Sequence, residues 1–259
     1  MTSPQTQEAL RRHRVRQVGV LQPLRWLGRG WADLMRCPVP GLLHGGVMAL
    51  FGAALLLLAR DRFWLLAGAF SGFLLVAPVA ATGLYAVSRS LQQGARPGIG
   101  TALAIWRPRD GRLVLFGLLL ALAGTGWVLT SVSLITRYAS APVNGPLDFL
   151  RVVVLSSDSY LFEVWLILGS VLAAPIFVSS VVAMPLLMDS AITVKAAVLV
   201  SARAALLNPA PMALWATLIL VVTLLGMVTF LAGLVVAVPW LAHASWHAYL
   251  DLVEPESDA

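Results

Sequence analysis

Residues 212–250 read MALWATLILVVTLLGMVTFLAGLVVAVPWLAHASWHAYL, a block without one Asp, Glu, Lys or Arg. As a single helix it would be about 58 Å long, against the roughly 30 Å of a bilayer's hydrocarbon layer. Within it, Ala232-Gly233-Leu234-Val235-Val236-Ala237-Val238-Pro239 sets a small residue six positions before a proline, with an aliphatic run between. Two other apolar stretches end the same way: Ser71-Gly72-Phe73-Leu74-Leu75-Val76-Ala77-Pro78 and Val178-Ser179-Ser180-Val181-Val182-Ala183-Met184-Pro185. The repeat predicts equivalent spans, each descending toward the cytoplasmic side, with Gly72 and Pro78, Ser179 and Pro185, and Gly233 and Pro239 in matched places. A turn near Gly226 then divides the block into spans 5 and 6, the latter ending near Tyr249. Five spans with one long final helix is the alternative.

The rest of the chain agrees with a membrane reading. Of 259 residues, 59% are hydrophobic and only 12% charged, about half the charged share of a soluble domain. Windows 41–59, 63–83, 113–136 and 164–188 also hold no Asp, Glu, Lys or Arg, and a run of about 20 apolar residues suffices to span. The predicted fold is all-α: a polytopic bundle of about six spans in pseudo-repeated hairpins, with amphipathic helices at the interface. Residues 1–20 read as a basic flexible tail, 21–40 as an interfacial helix, 41–250 as the transmembrane domain and 251–259 as an acidic tail. In the second of these, Leu21, Leu24, Leu27, Trp31, Leu34 and Met35 recur at helical spacing, with Trp26 and Trp31 as headgroup-level anchors.

Charge sets the orientation. Lys and Arg number fourteen in the segments that face the cytoplasm if the N-terminus is inside, namely 1–40, 84–112 and 189–210, against four in the opposite ones (Arg60, Arg62, Arg137 and Arg151). This bias predicts a multi-pass protein of a bacterial inner membrane with a cytoplasmic N-terminus. The net charge of +6 follows from topology and implies no nucleic-acid partner. Arg11, Arg12, Arg14 and Arg16 are not followed by an apolar core and cleavage site, so no cleaved leader is expected.

Chemistry is sparse. Phosphate loops, zinc helices and nucleophile elbows are missing, and Cys37 is the only cysteine. No carboxylate, Lys or Arg lies deep in a span, which weakens ion-coupled transport. The polar side chains left to line a path are Ser71, Thr82, Ser170, Ser179, Ser180 and Thr217. His243 and His247 share a helix face, and His44 starts span 1 on the same cytoplasmic side. Two such imidazoles can ligate haem or a metal, but the spans place no carboxylate behind them. The expectation is therefore no catalytic residue, no cofactor and no metal.

Several motifs resemble those of the bacterial integral-membrane family catalogued as domain of unknown function 2189. They are Trp26-Leu27-x-x-Gly30-Trp31-x-Asp33-Leu34, Gly72-Phe73 leading to Pro78, Gly83-Leu84-Tyr85-x-x-Ser88-Arg89, Pro185-x-x-x-Asp189, and Trp246-His247-x-Tyr249-x-Asp251-Leu252-Val253. The resemblance covers about residues 20–253 and implies six-span-like inner-membrane proteins without an established activity. Leu250 stands where the family pattern has Arg. Some relatives carry a cytochrome oxidase label, which four histidines do not support. The expected function is a non-catalytic membrane module, or accessory subunit, packing with itself or a membrane-protein partner in the lipid bilayer. The alternatives are a permease or channel for an uncharged small molecule and, more weakly, a haem-binding redox subunit.

Overall fold

The structure, a computed structural model, describes residues 4–58, 81–104, 111–156 and 159–254. Its elements are helical: α1 (Pro4–Arg12), α2 (Gln22–Arg36), α3 (Pro38–Leu58), α4 (Thr82–Gln92), α5 (Ile99–Ala104), α6 (Gly111–Tyr138), α7 (Leu161–Ser180), α8 (Ala183–Asp189), α9 (Val194–Leu207), α10 (Pro209–Val228) and α11 (Leu234–Leu252). A helical turn, Pro146–Asp148, continues as a π-helical segment, Phe149–Val154. Prolines open α3 and α10, where a missing N–H costs no helical bond. Four stretches are long and apolar enough to cross a membrane among the described residues: Pro38–Leu57, Gly111–Tyr138, Leu161–Asp189 and Pro209–Val228. Leu57, Val114, Leu129, Ile167, Leu225 and Val228 on these helices are all at least 63% exposed. So much bare apolar surface is stable against lipid, not water. The chain is a multi-pass membrane protein.

The final apolar block is two helices. α10 stops at Val228 and α11 starts at Leu234, so the break opens at Thr229, three residues beyond the predicted turn. Thr229 caps the break: its hydroxyl donates to the Gly226 carbonyl at 2.9 Å and accepts from Gly233 N–H at 2.7 Å. Gly226 and Gly233 permit the hairpin, because a methyl on Gly233 would sit 2.8 Å from the Gly226 Cα.

Contacts divide the chain into two compact units: residues 1–50, 78–116 and 177–259 form the first, and 51–77 and 117–176 the second. The second has a core of Ile135, Val143, Val153 and Leu161. Trp165 stacks there on Phe162, meets Phe149 edge-on and Trp127 at a tilt, and donates its indole N–H to the Ser131 hydroxyl at 2.6 Å. Gly169 makes room for the Trp127 ring, 2.9 Å from where a Cβ would stand.

In the first unit α11 is the central post. α2 crosses it backbone to backbone, since a Cβ on Gly30 would lie 2.5 Å from Ala244 N. α3 meets it through Gly41 and Gly45, the small-xxx-small spacing of close membrane-helix pairs. A Cβ on Gly45 would lie 2.2 Å from the Val235 carbonyl oxygen. That carbonyl is the one Pro239 cannot bond, four residues along, so the proline and the glycine belong to one contact. α4 runs parallel to α11: Ser88 meets His243 and, one turn on, Gln92 meets Trp246.

Two sequence expectations change. α2 presents a buried face and an exposed apolar one. Trp26, Leu27, Gly30, Asp33 and Leu34 are buried, while Leu21, Leu24, Trp31 and Met35 are exposed. Trp26 is therefore no lipid anchor; its indole N–H bonds Asp251 at 2.8 Å and its ring meets Trp215 edge-on. The basic tail is also tied down in part. Val15 pairs with Val253 as an antiparallel bridge, Arg16 N–H donates to the Leu252 carbonyl at 2.8 Å and Glu254 N–H to that of Arg14 at 2.9 Å. Asn208, between α9 and α10, holds the same segment, accepting from Val18 N–H and donating to the Arg16 carbonyl. Its composition is that of a solvated tail, but the strand's backbone groups have partners waiting.

Candidate functional site

α11 carries His243, His247 and Asp251 at four-residue spacing, hence on one face. Facing them, α2 carries Gln22, Trp26, Arg29 and Asp33. The two rows meet in two carboxylate nodes. Asp251 accepts from Gln22 (2.6 Å), Trp26 (2.8 Å) and the Arg29 fork. Asp33 accepts from the Ser88 hydroxyl (2.8 Å) and from His247 Nε2 (2.8 Å). A third node lies beside them: Asp189, ending α8, pairs with Arg89 at 3.1 Å and accepts from the Tyr249 hydroxyl at 2.8 Å. Each carboxylate thus joins α11 to another helix of this unit.

The Asp33 node is dry. Ser88 and His243 are 0% exposed, Asp33 4% and His247 5%. Burial by itself raises a carboxyl pKa, and here the hydrogen bonds from His247 and Ser88, then the neighbouring imidazoles, outweigh it and hold Asp33 below its ordinary value. Asp251 is lowered likewise, against burial, by Arg29, Gln22 and Trp26.

An ionised carboxylate only accepts, so the geometry assigns the protons. Ser88 gives its one hydrogen to Asp33. Its oxygen, 2.8 Å from His243 Nδ1, must then accept, so His243 carries its proton on Nδ1. His247 likewise donates from Nε2. The outer nitrogens, His243 Nε2 and His247 Nδ1, are buried without a hydrogen-bond partner among the described residues, as is His44 Nε2 on α3. The order Asp–Ser–His is not that of a nucleophilic triad, where the imidazole stands between serine and carboxylate. Here the serine stands between them, its proton directed at Asp33.

His44, His243 and His247, singled out in the sequence, all lie in this unit. A methyl on Gly41, one turn before His44, would stand 3.7 Å from His243 Nε2. Of the repeat residues, Gly72 and Pro78 lie outside the described residues. Ser179 is next to last in α7 and Pro185 third in α8, after a break at Val181–Val182. The Ser201 hydroxyl bridges that break, donating to the Val178 carbonyl at 2.8 Å and accepting from Val182 N–H at 3.1 Å. Gly233 precedes α11, and Pro239 is its sixth residue. Of the proposed polar lining, Ser170, Ser180 and Thr217 donate to carbonyls three or four residues back in their own helices. Ser71 is outside the described residues. What sequence reasoning missed was the place of Asp33 and Ser88 in the site. The signal was the spacing Trp26, Gly30, Asp33, which puts a tryptophan, a glycine and a carboxylate on one face.

Residues 65–189, a little under half of the chain, match the model of a family described as a predicted integral membrane protein (DUF2189). The similarity is narrower than the sequence motifs imply, because Trp26–Leu34 and Trp246–Val253 fall outside it. No curated protein and no solved structure matches the chain.

Proposed function

We propose that the protein is a non-catalytic, six-span module of the bacterial inner membrane, with both termini in the cytoplasm, that packs with itself or with a membrane partner. The observation that carries the non-catalytic part is the wiring of the first unit. Asp33, Asp189 and Asp251 each link α11 to another helix, and the serine nearest a histidine is wholly buried with its proton on Asp33. Exposed apolar faces on α3, α6, α7 and α10 offer lipid or a partner helix a surface without charge.

The bonds between residues 14–16 and 252–254 bear on topology. Segments hydrogen-bonded to one another share a side of the membrane, which favours an even number of crossings. The arginine bias puts that side in the cytoplasm. Fluorescent-protein and phosphatase fusions at Leu252 test this: fluorescence without phosphatase activity is expected, and phosphatase activity there would require an odd number of spans. The packing part is tested by chemical crosslinking in native membranes, followed by purification in mild detergent. A discrete species larger than one chain is expected; a monomer alone would overturn it.

A further inference from the structure

Four buried side-chain nitrogens lack a hydrogen-bond partner among the described residues: His44 Nε2, His243 Nε2, His247 Nδ1 and Trp215 Nε1. The indole nitrogen can only donate. A neutral imidazole's second nitrogen carries a lone pair and can ligate. A buried polar atom left bare is costly, yet three of these four are histidines in one unit. His243 is 0% exposed and held in a single tautomer, its Nδ1–H on Ser88 and Ser88 in turn on Asp33. Proteins present imidazole to metal in this way, with one ring N–H given to a carboxylate, directly or through an intermediary, and the other nitrogen bare. The bare Nε2 of His243 faces α3 at Gly41, where a methyl would stand 3.7 Å away. His44 is three residues further on the same helix face, its own Nε2 also bare.

We propose that His44 and His243 hold one transition-metal ion between α3 and α11 through their Nε2 atoms, with Ser88 and Asp33 orienting the second imidazole. This goes beyond the module reading and does not depend on it. The absence of a carboxylate behind the histidines argued against metal in the sequence; Asp33, from a helix before the spans, supplies one. The class of ion follows from ligand number and charge. Among the described residues no three His, Cys, Asp or Glu converge as a metal-holding group, and zinc ordinarily takes four ligands. Imidazole suits copper as well as zinc. Two neutral imidazoles backed by one negative charge suit a monovalent ion, whose charge Asp33 balances in a medium where net charge is costly. Copper(I) is the ion that fits.

The test is titration of the purified full chain in detergent with copper(I), kept reduced by ascorbate and competed against a colorimetric chelator, and separately with zinc(II). One equivalent of copper(I) per chain is expected, bound at least tenfold more tightly than zinc(II). His44→Ala removes a nitrogen that bonds nothing, so the fold should persist, checked by size exclusion and thermal midpoint, while copper affinity falls at least tenfold. His243→Gln keeps an amide for Ser88 and should lose affinity equally. Binding unchanged in both variants, or no stoichiometric copper in the parent, overturns the site. Equal or tighter zinc binding overturns the assignment of a monovalent ion.

Discussion

Asp33→Ala is expected to be among the most destabilising single changes in the first unit. The substitution leaves the Ser88 hydroxyl and His247 Nε2–H without an acceptor in a dry interior, since both now donate to that carboxylate at 2.8 Å. Leaving buried donors without an acceptor costs about 1–3 kcal/mol each, a large part of a total stability of roughly 5–15 kcal/mol. Thermal unfolding in detergent, followed by tryptophan fluorescence, should report the loss through Trp26, Trp215 and Trp246, all buried in this unit. The same carboxylate sets a pH dependence. Asp33 is held below its ordinary value in the folded chain, so its stabilising contribution is complete above about pH 4, the unfolded value. It is lost as pH falls through the lower folded value. Asp251 shifts in the same direction and adds to the same window. Through these two carboxylates the parent should lose stability below about pH 4, and Asp33→Asn should reduce that part of the acid sensitivity while lowering stability near neutral pH. Stability of the Asn variant equal to the parent at pH 7 would show that the node carries no net energy.

Gly30→Val should separate α2 from α11. Even the first added carbon would stand 2.5 Å from Ala244 N and 2.8 Å from its Cα. Backbone cannot rotate away as a side-chain tip can, so the two helices must move apart along their whole crossing. Overpacking of this kind costs about 1–3 kcal/mol for small insertions and more where backbone must shift. The separation would also stretch the bonds from Gln22, Trp26 and Arg29 to Asp251 and from His247 to Asp33. Loss of the monodisperse detergent peak is the expected result. Gly28, on the same helix two residues earlier, has nothing within 4 Å of a Cβ. Gly28→Ala is the control and should be neutral or stabilising by up to about 1 kcal/mol. Equal behaviour of the Gly28 and Gly30 variants would remove the crossing from the account.

The membrane-helical character was plain in the chain, because apolar runs of spanning length have few other stable fates. The break in residues 212–250 was legible for a similar reason: one helix of that length overshoots the bilayer, and the proline repeat called for a turn near Gly226. Local chemistry sufficed for both. Asp33 could not be placed from the sequence. On the helix wheel it sits among Arg25, Arg29 and Arg36 as readily as beside Trp26 and Gly30, and only a second helix in contact selects the buried side. The same holds for Ser88, one hydroxyl among many until His243 and Asp33 stand 2.8 Å away on either side. Histidine spacing on α11 was readable, four apart on one face, but not the nitrogens left bare. Periodicity and hydropathy act along the chain and so yield spans, turns and orientation. Which donor meets which acceptor is set by close approach between helices remote in sequence, through glycines at Gly30, Gly41 and Gly45, and only the folded unit brings those positions together.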